Sequence, residues 1–314
     1  MKIAFLIKAR GKKYRKLEQQ IHAVFSEMPI VLFQSRFARH MLEIPRAALS
    51  EGCDHLIAIG GDGTFNEMVN GLIRSFTDES GLVDWYGVAQ IKLGIIGNGT
   101  GNDFIRNFEK PSLLSVREHI LSGKSSICDV AVASTAGNDE RQITHYFMNV
   151  ADAGVGATVI QRELQIARVV NDSLSYLLAI VFTLPFFRKI SLEITGDDFS
   201  WKGRSMTCIV ANGKYFADGM GIAPEARLND GKLDIVIVGN IGLIDYLTQL
   251  SKLKQLKKLD HPEVHYFRSG SLKITSSSKV AFETDGEIAG LTPVAIQCLE
   301  QRINLLASPV LFAH

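Results

Sequence analysis

HLIAIGGDGTFNEMVNGLIRSF, residues His55 to Phe76, decides the fold. An apolar run ends at the adjacent glycines Gly60 and Gly61, and Asp62, Gly63 and Thr64 lead into Phe65, Asn66 and Glu67. From there the apolar residues Phe65, Met68, Val69, Leu72 and Ile73 recur with helical spacing. A buried strand that turns on glycines into an amphipathic helix is half of a βαβ unit. Successive glycines bring backbone N–H groups close to a ligand, and the helix N-terminus adds a positive dipole, so the turn reads as a phosphate cradle. It is neither a Walker A loop, since no GK[ST] follows, nor a GxGxxG dinucleotide fingerprint. Asp62, set between two glycines, is a candidate to hold the magnesium of a triphosphate or to accept a proton. The plainer reading, a helix start capped by Thr64, leaves the paired glycines unused.

Working outward, KIAFLIK precedes a helix over Lys12–Met28, IVLFQS precedes another helix, and IKLGIIG follows the central helix. The series β-α-β-α-β-α-β predicts a parallel, three-layer sheet whose ligand lies at the carboxyl ends of its strands. A second glycine turn, Gly97-Asn98-Gly99-Thr100-Gly101-Asn102-Asp103, sits at the end of the next strand. Adjacent parallel strands bring both turns side by side, and Thr100 and Asn102 can bond ribose or phosphate. A capped helix start explains this second segment equally well when it is taken alone.

From about Ile127 the texture changes to CDVAVAS, HYFMNVA, KISLEIT, MTCIVANG, KLDIVIVG, SLKITS, KVAFETDG, VAIQCLE and INLLAS. So many short strands predict an antiparallel sandwich or barrel, interrupted by helical insertions near Ala157–Phe187 and Leu243–Leu259. The expected fold class is therefore α/β plus all-β: an α/β domain over residues 1–125 and a β-sandwich over 126–305, with the substrate cleft between them. Asp285-Gly286-Glu287 puts two carboxylates on a turn. Either can take the proton of a hydroxyl nucleophile, although D-G is also ordinary hairpin chemistry. Asp218-Gly219-Met220-Gly221 and Asn229-Asp230-Gly231-Lys232 are turn-rich, and loop carbonyls with Asp230 suit a hard divalent cation as well as a metal-free turn.

Composition narrows the class. The 314 residues suit two domains, and 46% hydrophobic with 21% charged residues is ordinary globular chemistry. A net charge of +1 gives no global attraction to nucleic acid, so no nucleic-acid partner is expected. Cys53, Cys128, Cys208 and Cys298 form no CxxC pair, and the eight histidines form no HExxH. The start carries no secretory pattern, which points to the cytoplasm. SLSYLLAIVFTLPFF, Ser173–Phe187, is uncharged but shorter than the roughly 20 residues a spanning helix needs. It reads as a buried helix or one that touches a lipid, with Leu184, Phe186 and Phe187 as candidate pocket residues. The basic stretch Lys252–Lys258, with Leu243, Leu247, Leu250 and Leu256 on its apolar side, is either a solvated face or a rest on the inner membrane surface.

Taken together, GGDGTFNEMVNGL, GTGNDF, DGMGIAPEARLNDGKLD and TDGE resemble the diacylglycerol kinase catalytic-domain family, which includes sphingosine and ceramide kinases and bacterial soluble lipid kinases. The motifs fall in the family's order and span nearly the whole chain. The resemblance implies a nucleotide domain like that of NAD kinase, a C-terminal sandwich, and a tail, 306–314, packed back on the first domain. It implies ATP contacts at Ser35, at Gly60 and the stretch Gly61–Glu67, and at Thr100. It further implies a proton acceptor at Glu287, with Asp285 also implicated, and a structural Mg²⁺ site at Asp230 and the carbonyls near Arg227 and Lys232. The expected activity is ATP-dependent phosphorylation of a lipid alcohol such as diacylglycerol, with a homodimer left open. Two departures stand out. The family's NPxSG-like turn after the first strand reads Ile7-Lys8-Ala9-Arg10-Gly11 here, and its proline before the second glycine turn is Gly97. The GGDGT motif is shared with NAD kinase, the enzymatic alternative, and the altered first turn motivates a second one, a nucleotide sensor without catalysis.

Overall fold

Every residue of β1 (Ile3–Ile7), IAFLI, is buried, so this strand lies inside a sheet covered on both faces. The computed structural model describes residues 1–99, 101–136, 142–159, 183, 187–241, 248–249 and 252–310. The chain divides into two units, Met1–Cys128 with Gln301–His314, and Asp129–Glu300.

In the first unit β1 is followed by α1 (Gly11–Val24), β2 (Ile30–Gln34), α2 (Ile44–Ser50), β3 (His55–Gly60), α3 (Asp62–Ser75), α4 (Trp85–Gln90), β4 (Lys92–Gly97) and α5 (Leu113–Ser122). The strands run parallel in the order β2-β1-β3-β4. One face of the sheet packs Ile3, Phe5, Ile7, Ile57 and Ile59 against Ile21 and Phe25 of the α1 segment and Val116 and Ile120 of α5. On the other side α3, packed on β3 and α2, buries Phe65, Met68, Val69, Leu72 and Ile73. The two faces explain why the strands read as continuous apolar runs. Register decides the site: Gly60 pairs with Gly97, so β3 and β4 end level and their glycine turns emerge together.

The second unit contains β5 (Ser126–Ala136), β6 (Gln142–Phe147), β7 (Val150–Gly154), β8 (Ile190–Gly196), β9 (Ser200–Ser205), β10 (Thr207–Ala211), β11 (Tyr215–Phe216), β12 (Met220–Gly221), β13 (Leu233–Val238), β14 (Val264–Ser269), β15 (Ser271–Ser276), β16 (Ala281–Thr284), β17 (Glu287–Leu291) and β18 (Val294–Leu305). One sheet has the order β14-β13-β10-β7-β16-β17, and β18-β15-β8-β9 form the other, with β5 beside β18 and β6. Alternate residues of both fill a shared core that includes Phe147, Ile194, Val210, Ile235, Ile274, Phe282 and Ile296. This is the period-two pattern of a β-sandwich. At its far end β18 leaves this unit, and Asn304 and Leu305 pair in parallel with Lys92 and Leu93 of β4. Beyond it, Ser308 accepts the N–H of Glu109, and Pro309 bridges Phe108.

The strands VAIQCLE and INLLAS, read separately in the sequence, form the single strand β18, kinked where Gln301 takes a positive φ of 51°. Five strands escape the sequence reading, among them the two-residue strands β11 and β12. In β9 (SWKGRS) most residues are polar, and β14 (VHYFRS) and β17 (EIAGL) also lack a clean apolar alternation. Most of the expected insertion over 157–187, with Leu184 and Phe186, lies outside the described residues, as does part of the helix expected at 243–259. Phe187 packs beside Val155, Val159, Met206, Val238 and Ile241. All four cysteines are buried free thiols, and no helix among the described residues is long and apolar enough to cross a membrane.

Candidate active site

The two glycine turns of the first unit touch backbone to backbone. A Cβ added at Gly99 would lie 2.6 Å from the Gly61 Cα, and one added at Gly61 would lie 3.3 Å from the Gly99 Cα. At Gly99 only a hydrogen side chain fits, and at Gly61 a methyl group would press on the Gly99 backbone. The N–H of Asn98 donates to the carbonyl of Gly60 at 2.8 Å, which extends the β3–β4 pairing into the turns.

Asp62, the first residue of α3, completes the junction. Its two carboxylate oxygens accept the backbone N–H groups of Asp103 and Phe104 at 2.9 and 3.0 Å, at the start of the 3-10 turn Phe104–Asn107. An acceptor at a helical N-terminus is favourable through both the hydrogen bonds and the dipole. Asn102 closes the second turn on itself, donating to the Gly99 carbonyl at 2.7 Å and accepting the Gly99 N–H at 3.3 Å. Asn102 holds a positive φ of 53°, a conformation asparagine tolerates better than most residues.

The remaining residues of the first turn separate by direction. Thr64 and Phe65 are buried, Phe65 stacking on Phe104 with centroids 5.1 Å apart, so their side chains serve packing. Gly61, Asp62, Gly63, Asn66 and Glu67 are partly exposed, and the first N–H groups of α3 have no intrahelical acceptor. Ser35 lies at the end of β2, its N–H on the Ile7 carbonyl at 3.0 Å and its hydroxyl on the Phe37 carbonyl at 3.3 Å. The altered turn after β1 is tied to the same place: Gln34 donates to the Ala9 carbonyl at 2.7 Å, and Arg10 to the Arg36 carbonyl at 2.9 Å. Thr100 lies outside the described residues. Sequence reasoning passed over Asn98, whose amide nitrogen is a buried donor with no acceptor among the described residues. Its position within a glycine turn was the available signal.

The carboxylates of the second unit sit on the β16–β17 hairpin, where Asp285 and Gly286 take φ of 47° and 85°, both in the left-handed region. Asp285 accepts the N–H groups of Met148, Asn149 and Val150 at 2.9, 3.0 and 3.0 Å, and its own N–H donates to the Val150 carbonyl at 2.8 Å. Glu287, two residues on, is exposed. The hairpin thus holds one carboxylate fixed to the backbone and one turned to solvent. Asn212 and Asn149 brace the segment that Asp285 caps: Asn212 donates to the Met148 carbonyl at 2.7 Å and Asn149 to the Tyr215 carbonyl at 2.8 Å. Behind the hairpin, Asp152 and Glu283 are buried, and burial pushes the Asp152 carboxyl up to about 7. Each of these two acids sits singly in a strand, so no spacing or turn marks it in the sequence.

The loop that carries Asp230 turns at Gly231, whose φ is 67° and whose N–H donates to the buried Asp129 at 2.8 Å. Asp230 accepts the Lys232 N–H at 3.2 Å and an Arg268 guanidinium hydrogen. Arg227 and Lys232 are exposed. Carbonyls and a carboxylate are the oxygen donors magnesium takes, but with Arg268 on Asp230 the loop is a closed ion pair. Among the described residues no group of three or more His, Cys, Asp or Glu side chains is placed to hold a metal ion. As arranged, the loop does not fit a bound cation, and no chemical step is routed through one there. Lys258, in the basic stretch, is engaged with Glu225 at 2.6 Å and lies over the Tyr266 ring.

A parallel sheet with a glycine cradle at its carboxyl edge, joined to an antiparallel sandwich, defines the class of kinases to which diacylglycerol kinases and NAD kinases belong. The diacylglycerol kinase catalytic domain matches residues 5–133, and the YegS C-terminal NAD kinase beta sandwich-like domain matches residues 149–307. The chain belongs to this diacylglycerol kinase family, whose enzymes are phosphotransferases with an alcohol group as acceptor. It is 26% identical over 259 residues to a diacylglycerol kinase of Staphylococcus saprophyticus, covering 82% of this chain and 78% of that one. A diacylglycerol kinase of Staphylococcus aureus is 27% identical over 269 residues, 85% of this chain and 78% of that one. In fold, a diacylglycerol kinase from Bacillus anthracis superposes with a TM-score of 0.66 at 20% identity over 98% of this chain and 97% of that one. Yeast NADH kinase complexed with NADH gives 0.51 at 10% identity, over 97% of this chain and 82% of that one.

Proposed function

We propose that this chain transfers the γ-phosphate of ATP to a hydroxyl of a lipid alcohol such as diacylglycerol. The observation that carries the nucleotide half is the contact of Gly61 with Gly99, locked by Asp62 across to Asp103 and Phe104. It leaves a side-chain-free backbone surface at a helix N-terminus, the arrangement that binds a polyphosphate. Phosphoryl transfer needs little covalent help from protein groups, so a rigid cradle supplies most of what it requires. Magnesium bound to the triphosphate would neutralise developing charge when present. The partly exposed side chains of Asn66 and Glu67, with Ser35 and Thr100, are assigned to nucleotide binding, and Asp62 to holding the cradle in shape.

Of the two candidate bases, Glu287 is the better one. Three backbone N–H groups hold the Asp285 carboxylate in place as their acceptor, whereas Glu287 is exposed and can turn to a substrate hydroxyl. Glu287 is therefore assigned as the group that takes the proton of the lipid hydroxyl, and Asp285 as the group that fixes the turn.

The test is transfer of labelled phosphate from ATP–Mg²⁺ to a panel of lipids in mixed micelles, with NAD as a parallel acceptor. Labelled lipid supports the assignment and identifies the acceptor. Labelled NAD would move the chain to the NAD kinase activity, and ATP binding without transfer would make it a sensor.

A further inference from the structure

Two acids that the proposed chemistry does not use face each other in the interior of the second unit. Asp152 on β7 pairs in register with Glu283 on β16, and the two are only 5% and 7% exposed. Carboxylates on neighbouring strands and on the same level cannot both be ionised in a dry interior at little cost. Their surroundings are unequal. Asp152 accepts the Thr207 hydroxyl and the N–H groups of Gly156 and Ala157, at the start of the helical turn over residues 155–159. Gly156 makes this approach feasible, since a Cβ there would lie 1.8 Å from an Asp152 oxygen. Glu283 accepts one N–H, that of Gly286, at 2.9 Å.

Among the described residues no cation offsets the pair. Across from Asp152, β10 presents Ile209, with Thr207 and Cys208 nearby; burial and Asp152 together push the Cys208 thiol up, so it carries no charge. Across from Glu283, β17 presents Ile288, and the hairpin itself adds the carboxylates of Asp285 and the exposed Glu287, of which Asp285 adds a further negative charge near Glu283. On β6, which also packs against β16, the titratable residues are His145 and Tyr146.

We infer that Asp152 and Glu283 hold one negative charge between them, on Asp152, and that the proton kept on Glu283 positions the Asp285-Gly286-Glu287 turn for phosphoryl transfer. Among the described residues the donor count sets the division, three for Asp152 and one for Glu283. Burial followed by the Asp152 charge, which holds Glu283 well above the usual carboxylate range, agrees with it. Glu283 reaches the turn through Gly286, between the fixed Asp285 and the exposed Glu287. When Glu283 loses its proton, repulsion acts across β7 and β16, the two strands whose ends Asp285 ties together. Glu283 is thus a positioning residue that acts through Glu287, and this role rests on the kinase reading above.

Glu283→Gln keeps an acceptor for the Gly286 N–H but cannot ionise. The wild-type kcat is expected to fall about tenfold or more on the alkaline side, the scale of a lost general base, with the KM for ATP unchanged. In Glu283→Gln, whatever its kcat at neutral pH, that fall is expected to disappear. Infrared spectroscopy at a pH above the Asp152 value of about 7, where Asp152 is ionised, reports the proton without reference to turnover, through a protonated carboxylic acid band present in the wild type and missing from a folded Glu283→Gln. A wild type lacking that band, or a variant with the same alkaline fall as the wild type, overturns the inference. A chain that binds ATP and phosphorylates no lipid overturns the kinase reading and the positioning role with it, while the band still decides where the proton resides.

Discussion

Asp62 and Asp103 lie 41 residues apart in sequence and are joined by a hydrogen bond of 2.9 Å from the Asp103 N–H to the Asp62 carboxylate. With the second bond, from Phe104, this carboxylate fastens the loop after β4 to the head of α3. A residue that invites a catalytic reading from its glycine neighbours is, in the structure, the brace of the cradle.

Removing that brace should cost stability as well as nucleotide affinity. Asp62→Ala leaves two N–H groups without their charged acceptor, each such bond contributing about 1.5–3 kcal/mol. Urea unfolding should show a loss of about 3–6 kcal/mol for the two bonds together. Asp62→Asn, which can still accept from one donor, should recover part of it. An alanine variant of native stability would mean that Asp62 is free in solution.

Where Gly61 and Gly99 cross, a single methyl group is the probe. Gly99→Ala places a Cβ 2.6 Å from backbone and must open the junction, whereas Gly63→Ala meets nothing within 4 Å. The KM for ATP should rise on the order of ten- to a hundredfold in the first, the scale of a misplaced reacting group. The second should change it far less, and equal effects would remove the crossing from the account.

The hairpin carboxylates should divide stability from turnover. Asp285→Ala withdraws the acceptor of three N–H groups and should lower the melting temperature clearly. Glu287→Gln, on an exposed side chain, should leave melting unchanged. Differential scanning calorimetry of both variants decides the matter; a melting loss for Glu287→Gln would give it the structural role.

Buried acids make stability depend on pH in a definite direction. The Asp152 carboxyl is raised to about 7 in the folded chain, so the fold favours its neutral form. That contribution is fully present below the ordinary Asp value of about 3.9 and is lost as pH rises through about 7. At about 1.4 kcal/mol per unit the loss amounts to a few kcal/mol. Denaturant midpoints should therefore decline over that window, and the decline should be smaller in Asp152→Asn. A midpoint that rises with pH throughout would contradict it.

The sheet of the first unit was legible because both of its faces are covered, so each strand is an unbroken apolar run with a helix after it. The strands of the second unit that show clean alternation, such as SLKITS and KVAFETDG, were legible for the same kind of reason. β9, with its Ser, Lys, Gly and Arg, was not, because its place is set by pairing with β8 and not by its own pattern. At the site, glycine turns and the D-G-E turn advertise themselves by composition. The partner that Asp62 chooses, the three N–H groups on Asp285 and the facing of Asp152 with Glu283 depend on strand register, which no single segment encodes.

The most direct measurement of the central claim is kcat for transfer of labelled phosphate from ATP–Mg²⁺ to diacylglycerol in mixed micelles, wild type against Glu287→Gln. The account predicts labelled lipid from the wild type and a loss of about 10²–10⁴ in kcat in the variant, with ATP binding and melting temperature preserved. Undiminished transfer by Glu287→Gln, or transfer to NAD in place of lipid, would contradict it.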